Sequence, residues 1–191
     1  MKDLRRSFLL PPPDETLAAG RGFLRQARFR LREDYLFKIS RALAVLNDRQ
    51  VWQRPNATSN SIGNLLLHLA GNLRQWIVSG VGGVTDVRER DQEFAARESL
   101  TKDELLIRLA EVIDDADKIL AKLEDEIAAT GSDQPLQNLI LPQGYQQTTL
   151  DAVFHAVEHF SYHTGQVILL AKWQAEGEIR FYNERELRER A

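Results

Sequence analysis

The composition of this 191-residue chain excludes several kinds of site before any motif is considered. The chain contains no cysteine, so disulfides, thiolate ligands and a protein-borne thiol nucleophile are excluded, and any metal must be bound by histidine or carboxylate. The formal net charge is -3 and 28% of the residues are charged, which is ordinary for a globular protein and indicates neither nucleic acid nor membrane as a partner.

The length and the terminal segments favour a single cytoplasmic domain over residues 1–191. No linker-like composition divides the chain, although residues 1–14 are interpreted as an N-terminal extension and residues 178–191 as a C-terminal tail. The apolar cluster at residues 8–10 is too short for the core of a signal peptide. The apolar run at residues 167–171 is far shorter than the roughly 20 residues of a membrane-spanning helix.

The first predicted element is a long amphipathic helix over residues 15–48. This stretch contains almost no turn signal, and Gly20 and Gly22 weaken only its beginning. Residues 52–58, which contain a proline and an asparagine, are predicted to end the helix as a loop. The apolar spacings of three and four that support the helix come from Leu36, Ile39, Leu43 and Leu46.

A second helix is predicted from about residue 62 to residue 80, after capping side chains at residues 59–61. Three glycines then break the helical pattern, and the charged residues that follow have no apolar period of their own. Residues 81–100 are therefore predicted to form a long loop. The apolar face of the second helix is formed by Ile62, Leu65, Leu66, Leu69, Leu73, Trp76 and Ile77.

The third and fourth helices have clear start and stop signals. Residues 101–104 have the form of a capping box and Gly131 follows the last apolar position, which predicts a third helix between them. Residues 132–147 are predicted to form a second long loop, with a short extended piece near residues 136–141. Thr148 or Thr149 is predicted to cap a fourth helix that stops at Gly177.

Four periodic helices without a convincing sheet predict an all-α fold, an antiparallel or mixed four-helix bundle. Long loops between helices two and three and between helices three and four are uncommon in compact domains, and we expect them to cover a site at one end of the bundle. The spacing of the helices leaves the topology open.

The four histidines occur in the second and fourth predicted helices. His155, His159 and His163 are four residues apart, and neighbours at this spacing lie on one helix face about 6 Å apart, close enough for two imidazoles to bind one ion. A helical wheel places His163 nearest the apolar arc of its helix and His155 farthest from it, and it places His68 at the margin of the arc of helix two. Three histidines from two helices would leave a coordination position for water or substrate, as in catalytic sites.

Spacing alone leaves other interpretations open. A histidine at a helix edge is often a surface or hydrogen-bonded residue, and His155 fits such a role better than that of a ligand. The Glu-x-x-His motif of di-iron bundles occurs at none of the histidines, and Phe160 occupies the glutamate position of the metalloprotease motif H-E-x-x-H. The arginines at positions 21, 25, 28, 30 and 32 are interpreted as a solvated helix face rather than a nucleic-acid contact.

Two histidine-bearing segments resemble the ligand-bearing motifs of the DinB-like superfamily. They are SIGNLLLHLAGNL at residues 61–73 and HFSYHTGQ at residues 159–166, and RERDQEF at residues 88–94 resembles a loop motif of an uncharacterised branch of that family. The resemblance covers most of residues 30–175. It implies a four-helix bundle, often with up-down-down-up connectivity and commonly dimeric, that binds a divalent metal such as nickel or zinc. The positions that match the family's ligands are His68, His159 and His163.

Characterised relatives in this superfamily include thiol-dependent transferases and isomerases that use bacillithiol, mycothiol or glutathione. The resemblance therefore implies a metal-dependent enzyme, most simply a thiol-dependent S-transferase acting on small electrophiles, with a low-molecular-weight thiol as a further cofactor and a homodimer as the assembly. A metal-dependent hydrolase, a non-catalytic stress-response bundle that binds a ligand or partner, and metal-free structural histidines stay open as alternatives. The candidates for contacts around the ligands or with substrate are Asn64, Asn72, His155, Tyr162, Gln166, Arg88, Arg90, Asp91 and Glu93.

Overall fold

The computed structural model describes residues 19–175 and 177–181, and within these residues the fold is all-α apart from one pair of two-residue strands. The strands pair antiparallel, with Leu139 opposite Thr148. The elements in chain order are α1 (Ala19–Phe29), a π-helical segment π1 (Arg30–Tyr35), α2 (Leu36–Leu43), α3 (Asp48–Trp52), α4 (Ile62–Leu73), a second π-helical segment π2 (Arg74–Val81), α5 (Arg90–Ala95), α6 (Lys102–Thr130), α7 (Gln134–Gln137), β1 (Leu139–Ile140), a 3-10 turn (Pro142–Gly144), β2 (Gln147–Thr148) and α8 (Thr149–Gln174).

Four long helices share one hydrophobic core. Segments α1, π1 and α2 follow one another without a break and form the first long helix, and α4 and π2 form the second in the same way. The first long helix packs against both α6 and α8, and so does the second. The core that they enclose extends along the chain from Leu24 to Ile179, so residues far apart in sequence are buried together.

Capping interactions place the helix ends where the sequence predicts them. The hydroxyl of Thr101 accepts a hydrogen bond from the backbone N–H of Glu104, whose carboxylate accepts one from the N–H of Thr101. Gly131 ends α6 in the left-handed conformation, with φ 65°. Ser61 and Thr148 begin α4 and α8 with the same kind of reciprocal cap, so three predicted helix starts are confirmed.

Short helices interrupt the stretches that the sequence predicted as one helix or as loops. The first long helix ends at Leu43 rather than continuing to residue 48, and α3 then starts after a cap at Asn47; residues 15–18 of the predicted helix lie outside the described residues. The loop predicted at residues 81–100 contains α5, and the loop predicted at residues 132–147 contains α7 and the strand pair. These elements are too short to show an apolar period in the sequence, and contacts with the long helices hold them in place.

The arginine-rich face of the first long helix is occupied by ion pairs with α6. The guanidinium of Arg28 lies 2.8 Å from carboxylate oxygens of both Asp117 and Glu124. Arg32 reaches Asp114 at 3.1 Å and Asp117 at 3.3 Å. Partly exposed pairs of this kind are each worth roughly 0–1 kcal/mol, so they align the two helices more than they stabilise the fold.

The two ends of the chain are described only in part. The N-terminal extension expected at residues 1–14 lies outside the described residues, as does most of the tail expected at residues 178–191. Within the described part of that tail, Ile179 is buried and belongs to the core. None of the helices described here has both the length and the apolar character needed to span a bilayer.

We expect Phe160→Ala to lower the free energy of unfolding by about 3–5 kcal/mol, because the ring of Phe160 is 1% exposed and stacks on Tyr35, so its removal leaves a cavity. Phe154→Ala is the matched control on the same helix, since that ring is 62% exposed, and it should change the free energy by less than about 0.5 kcal/mol. Urea unfolding followed by circular dichroism measures both values. Equal losses in the two variants would contradict the placement of these rings.

Candidate metal centre

The side chains of His68, His159 and His163 meet at one point between α4 and α8. Each offers a ring nitrogen, and these three nitrogens lie within 4.8 Å of one another. The centroids of the rings are 4.9 Å apart for His68 and His159, 5.1 Å for His68 and His163, and 4.5 Å for His159 and His163. The convergence expected from two distant parts of the sequence is therefore present.

The helix packing explains this convergence. His159 and His163 are one turn apart on α8, and the residues that follow each of them, Phe160 and Thr164, are buried in the core. The histidines therefore lie at the edge of the buried face of α8, which packs against α4. His68 points to the same edge from α4, and its Nε2 atom lies 3.0 Å from the Nε2 atom of His159.

A buried carboxylate holds His68 from the side away from this meeting point. The Nδ1 atom of His68 lies 2.8 Å from Oε2 of Glu93, which accepts its hydrogen bond. Arg88 binds the same carboxylate through two further hydrogen bonds, from Nε at 2.7 Å and from Nη2 at 2.9 Å. A guanidinium nitrogen of Arg88 is also 3.0 Å from Nδ1 of His68, but both are donors, and their closeness follows from sharing one oxygen. With its proton on Nδ1, His68 presents the lone pair of Nε2 to the other histidines.

His163 is oriented in a similar way, whereas His159 is not. The Nδ1 atom of His163 donates to the side-chain oxygen of Gln166 at 2.7 Å, which again leaves the Nε2 lone pair available. The Nδ1 atom of His159 is buried and has no hydrogen-bond partner among the described residues. Whichever nitrogen of His159 carries the proton, hydrogen bonding to His68 satisfies only one side of the ring.

The electrostatic environment keeps the histidines of α8 neutral. Burial, reinforced by the neighbouring histidines and Arg88, lowers the pKa of His159 to about 3. Burial also lowers the pKa of His163, although the bond to Gln166 acts in the opposite direction. At Glu93, burial disfavours the carboxylate, but the hydrogen bonds from Arg88 and His68 outweigh it and the pKa lies below its ordinary value.

These residues fit a divalent ion. Neutral imidazole nitrogens are ligands that zinc and nickel accept, and two such nitrogens in a tetrahedral site lie about 3.3 Å apart when each is roughly 2.0–2.1 Å from the ion. The 3.0 Å between the Nε2 atoms of His68 and His159 is close to this separation. An ion bound through Nε2 would fix the proton of His159 on Nδ1, and the carboxylate on His68 is the partner that metal-binding histidines commonly have.

Gly71 makes room for the carboxylate on His68. It lies one turn after His68 on α4, and a Cβ atom built there would overlap Oε1 of Glu93 and come within 3.0 Å of Nε of Arg88. A side chain at this position would therefore push the Glu93 head group away from α4. The absence of a side chain at Gly71 is what lets the loop approach the helix closely enough for Glu93 to reach His68.

The other candidates have different surroundings. Asn64 is buried and donates to the backbone oxygens of Glu93 at 2.8 Å and Ala96 at 3.1 Å, so it anchors the loop that bears α5. His155 packs against Trp76 with ring centroids 4.0 Å apart and the planes tilted by 35°, and its ring lies 5.5 Å from that of His159. Asn72 is buried, with its amide nitrogen 3.5 Å from Nε2 of His155.

The remaining candidates lie nearer the surface. The ring of Tyr162 is 61% exposed and stands edge-on to His163 at 5.0 Å, beside the cluster. Arg90 is exposed and lies over the ring of Phe94, 5.1 Å from its centroid. Asp91 is exposed, and its side chain makes no hydrogen bond to the part of the chain that is described.

Several residues that support the site were not predicted from the sequence. Gln75 accepts hydrogen bonds from Arg88 at 2.9 Å and from Gln143 at 2.8 Å, so it connects both long loops to π2. Arg54 donates to Asn64 and to the backbone oxygen of Phe94, each at 2.7 Å. π-Helical segments are often found at functional sites, but neither this segment nor these long-range bonds leave a pattern in the sequence.

Comparisons with known proteins agree with this architecture. The family model described as "Protein of unknown function (DUF1572)" matches residues 18–183. The crystal structure of a DinB-like protein from Bacillus cereus ATCC 10987 matches with a TM-score of 0.50 and 17% sequence identity, over 82% of this chain and 95% of that one. At this identity the likeness concerns the fold. No curated protein matches the sequence.

We expect Gly71→Ala to weaken zinc binding roughly tenfold to a hundredfold, the range typical of losing a residue that supports a ligand. The new methyl group displaces the end of the Glu93 side chain from His68, so the affinity for zinc should fall. Gly165→Ala on α8 is the matched control, because a Cβ there meets nothing within 4 Å. Competition with a chromophoric chelator measures the affinities, and equal affinity in both variants would contradict the role assigned to Gly71.

The metal-free protein should lose stability as the pH falls from 6.5 toward 3, in part because of His159. Its pKa is about 3 when folded and near its ordinary 6.5 when unfolded, so the unfolded chain takes up the proton first. The contribution is complete above pH 6.5 and is lost as the pH falls through the folded value. Urea unfolding with EDTA at pH 7 and pH 4.5 should show a smaller loss for His159→Gln than for the wild type. A parallel loss would show that His159 is not buried as described.

Proposed function

The chain belongs to the DUF1572 family and has a DinB-like all-α fold, and we propose that it is a metal-dependent enzyme whose divalent ion, zinc or nickel, is bound by His68, His159 and His163. The observation that carries the proposal is the meeting of three histidine nitrogens within 4.8 Å at the contact between α4 and α8. The carboxylate on His68 supports it, because metal-binding histidines commonly donate their second ring N–H to a carboxylate.

The protein residues would have separate tasks at such a centre. The three histidines would bind through Nε2, Glu93 and Gln166 would hold the rings of His68 and His163 in the required tautomer, and Arg88 would keep Glu93 ionised. A bound divalent ion supplies a Lewis acid that lowers the pKa of a thiol or water. Three protein ligands leave at least one coordination position for that molecule.

We propose further that the reaction is the transfer of a small electrophile to a low-molecular-weight thiol. The chain has no cysteine, so the sulfur nucleophile of such a reaction must come from a small molecule. Tyr162 supports a substrate side beside the centre, since its exposed ring touches His163 and its hydroxyl is available to hold a substrate. His155 is neutral at pH 7, because burial lowers its pKa. It lies one turn from His159, where it can accept the proton that the thiol loses.

The proposal also covers the order of the helices, the assembly and the location of the protein. The four long helices would follow the up-down-down-up order, two copies would associate as a homodimer, and the protein would act in the cytoplasm on a small-molecule substrate. The exposed apolar side chains of α8, Phe154, Leu169 and Trp173, support an association between copies.

We expect protein purified without an affinity tag to contain about one zinc or nickel ion per chain by elemental analysis. His159→Ala should lose that ion and the rise in thermal stability on adding zinc. His155→Ala is the matched control, since it removes a histidine of the same helix that is not among the three converging side chains, and it should keep the ion. Protein without stoichiometric metal, and without stabilisation by zinc or nickel, would refute the proposed centre.

The reaction is tested on the wild type and on the His159→Ala and His155→Ala variants. Bacillithiol, mycothiol and glutathione are each offered together with small electrophiles, and loss of the free thiol is followed. The wild type should consume thiol faster than the metal-free His159→Ala variant. If the metal is present but only ester or amide substrates are consumed without a thiol, the enzyme is a hydrolase; if nothing is consumed, the non-catalytic alternative is favoured.

A further inference from the structure

A cleft beside the histidine cluster is not lined by any of the three histidines. It has a volume of about 640 Å³ and lies between α4, the loop that bears α5, and the first turns of α6. Arg88 and Glu93 line it and also contact His68, so this ion pair is common to the cleft and the histidine cluster. A volume of this size is within the roughly 300–1,000 Å³ of pockets that bind small molecules.

The charged groups of the cleft leave an excess of unpaired positive charge. Three arginines and two glutamates line it, but Glu93 is already bound by Arg88 and His68. The guanidinium groups of Arg74 on π2 and Arg108 on α6 have no hydrogen bond or ion pair with any residue that the structure describes. The remaining carboxylate, on Glu89, is at the exposed rim.

Apart from Gln92 and Ser99, the uncharged side chains that line the cleft are apolar. Leu67, Val87, Ala95 and Leu100 lie along the cleft, and Val87 is 69% exposed, so its side chain is accessible to a ligand. Planar guanidinium groups bind carboxylate and phosphate groups in paired hydrogen bonds. The cleft therefore combines two free guanidiniums with an apolar surface, the two features that recognise an anion carried on an apolar body.

We propose that this cleft binds a small organic anion, whose carboxylate or phosphate group lies between Arg74 and Arg108 and whose apolar part packs against Leu67, Val87 and Leu100. The proposal does not require a metal, because none of the three histidines lines the cleft. The shared Arg88–Glu93 pair makes the cleft a neighbour of the histidine cluster rather than a part of it.

Phenyl phosphate and benzoate are the probes, with benzyl alcohol as the uncharged comparison, and isothermal titration calorimetry measures binding to the full chain. Wild-type protein should bind at least one of the two anions saturably and bind benzyl alcohol much more weakly. Arg74→Gln and Arg108→Gln should each weaken that binding about tenfold or more, because each removes a charge-assisted hydrogen bond. Arg49→Gln is the matched control, since Arg49 is exposed on α3 outside the cleft, and it should bind as the wild type does.

His159→Ala distinguishes the cleft from the proposed metal centre, because it should still bind the probe even if it loses metal. Loss of probe binding in His159→Ala, or binding unchanged in both Arg74→Gln and Arg108→Gln, would overturn the proposal. Failure of both anions to bind the wild-type protein would also overturn it. If one of the two anions binds more tightly than the other, and both cleft variants weaken that binding, the proposal is supported. The tighter probe then shows whether the cleft prefers a phosphate or a carboxylate group.

Discussion

The hydrogen bond between Glu93 and His68 is the contact on which the candidate site depends. It joins a loop that has no apolar pattern to a core helix, and it sets which nitrogen of His68 faces the other two histidines. A carboxylate buried there would be costly without partners, because burial disfavours its charge. Arg88 supplies the compensating charge through two hydrogen bonds, so the carboxylate stays ionised and the imidazole stays oriented.

This contact requires the loop that bears α5 to lie against α4 at two positions along the helix. At the start of the helix, Asn64 and Arg54 bind the backbone oxygens at the end of α5, which fixes the loop in position. One turn after His68, Gly71 has no side chain, so the ion pair can lie directly on the helix. None of these three residues would touch a metal, yet together they hold the loop whose Glu93 orients His68.

The same ion pair is shared by the two sites proposed for this protein. Arg88 and Glu93 form part of the wall of the cleft and also contact His68, so the cleft and the histidine cluster are neighbours. The two sites differ in chemistry, since one offers neutral imidazoles and the other offers free guanidiniums. A centre of neutral donors beside an anion-binding cleft suits a substrate or cofactor that carries a negative charge away from its reacting group.

The sequence by itself determined the long helices and the histidines that could bind metal. The tertiary structure decided which side chains support those histidines. Capping at Ser61, Thr101 and Thr148 and the spacing of His159 and His163 depend on residues within one turn, so they are readable locally. The role of Glu93 at His68, 25 residues away, and the meeting of His68 with His159, 91 residues away, depend on how the helices and the loop pack. Contacts over such separations arise from burial and close approach, which leave no periodic signal along the chain.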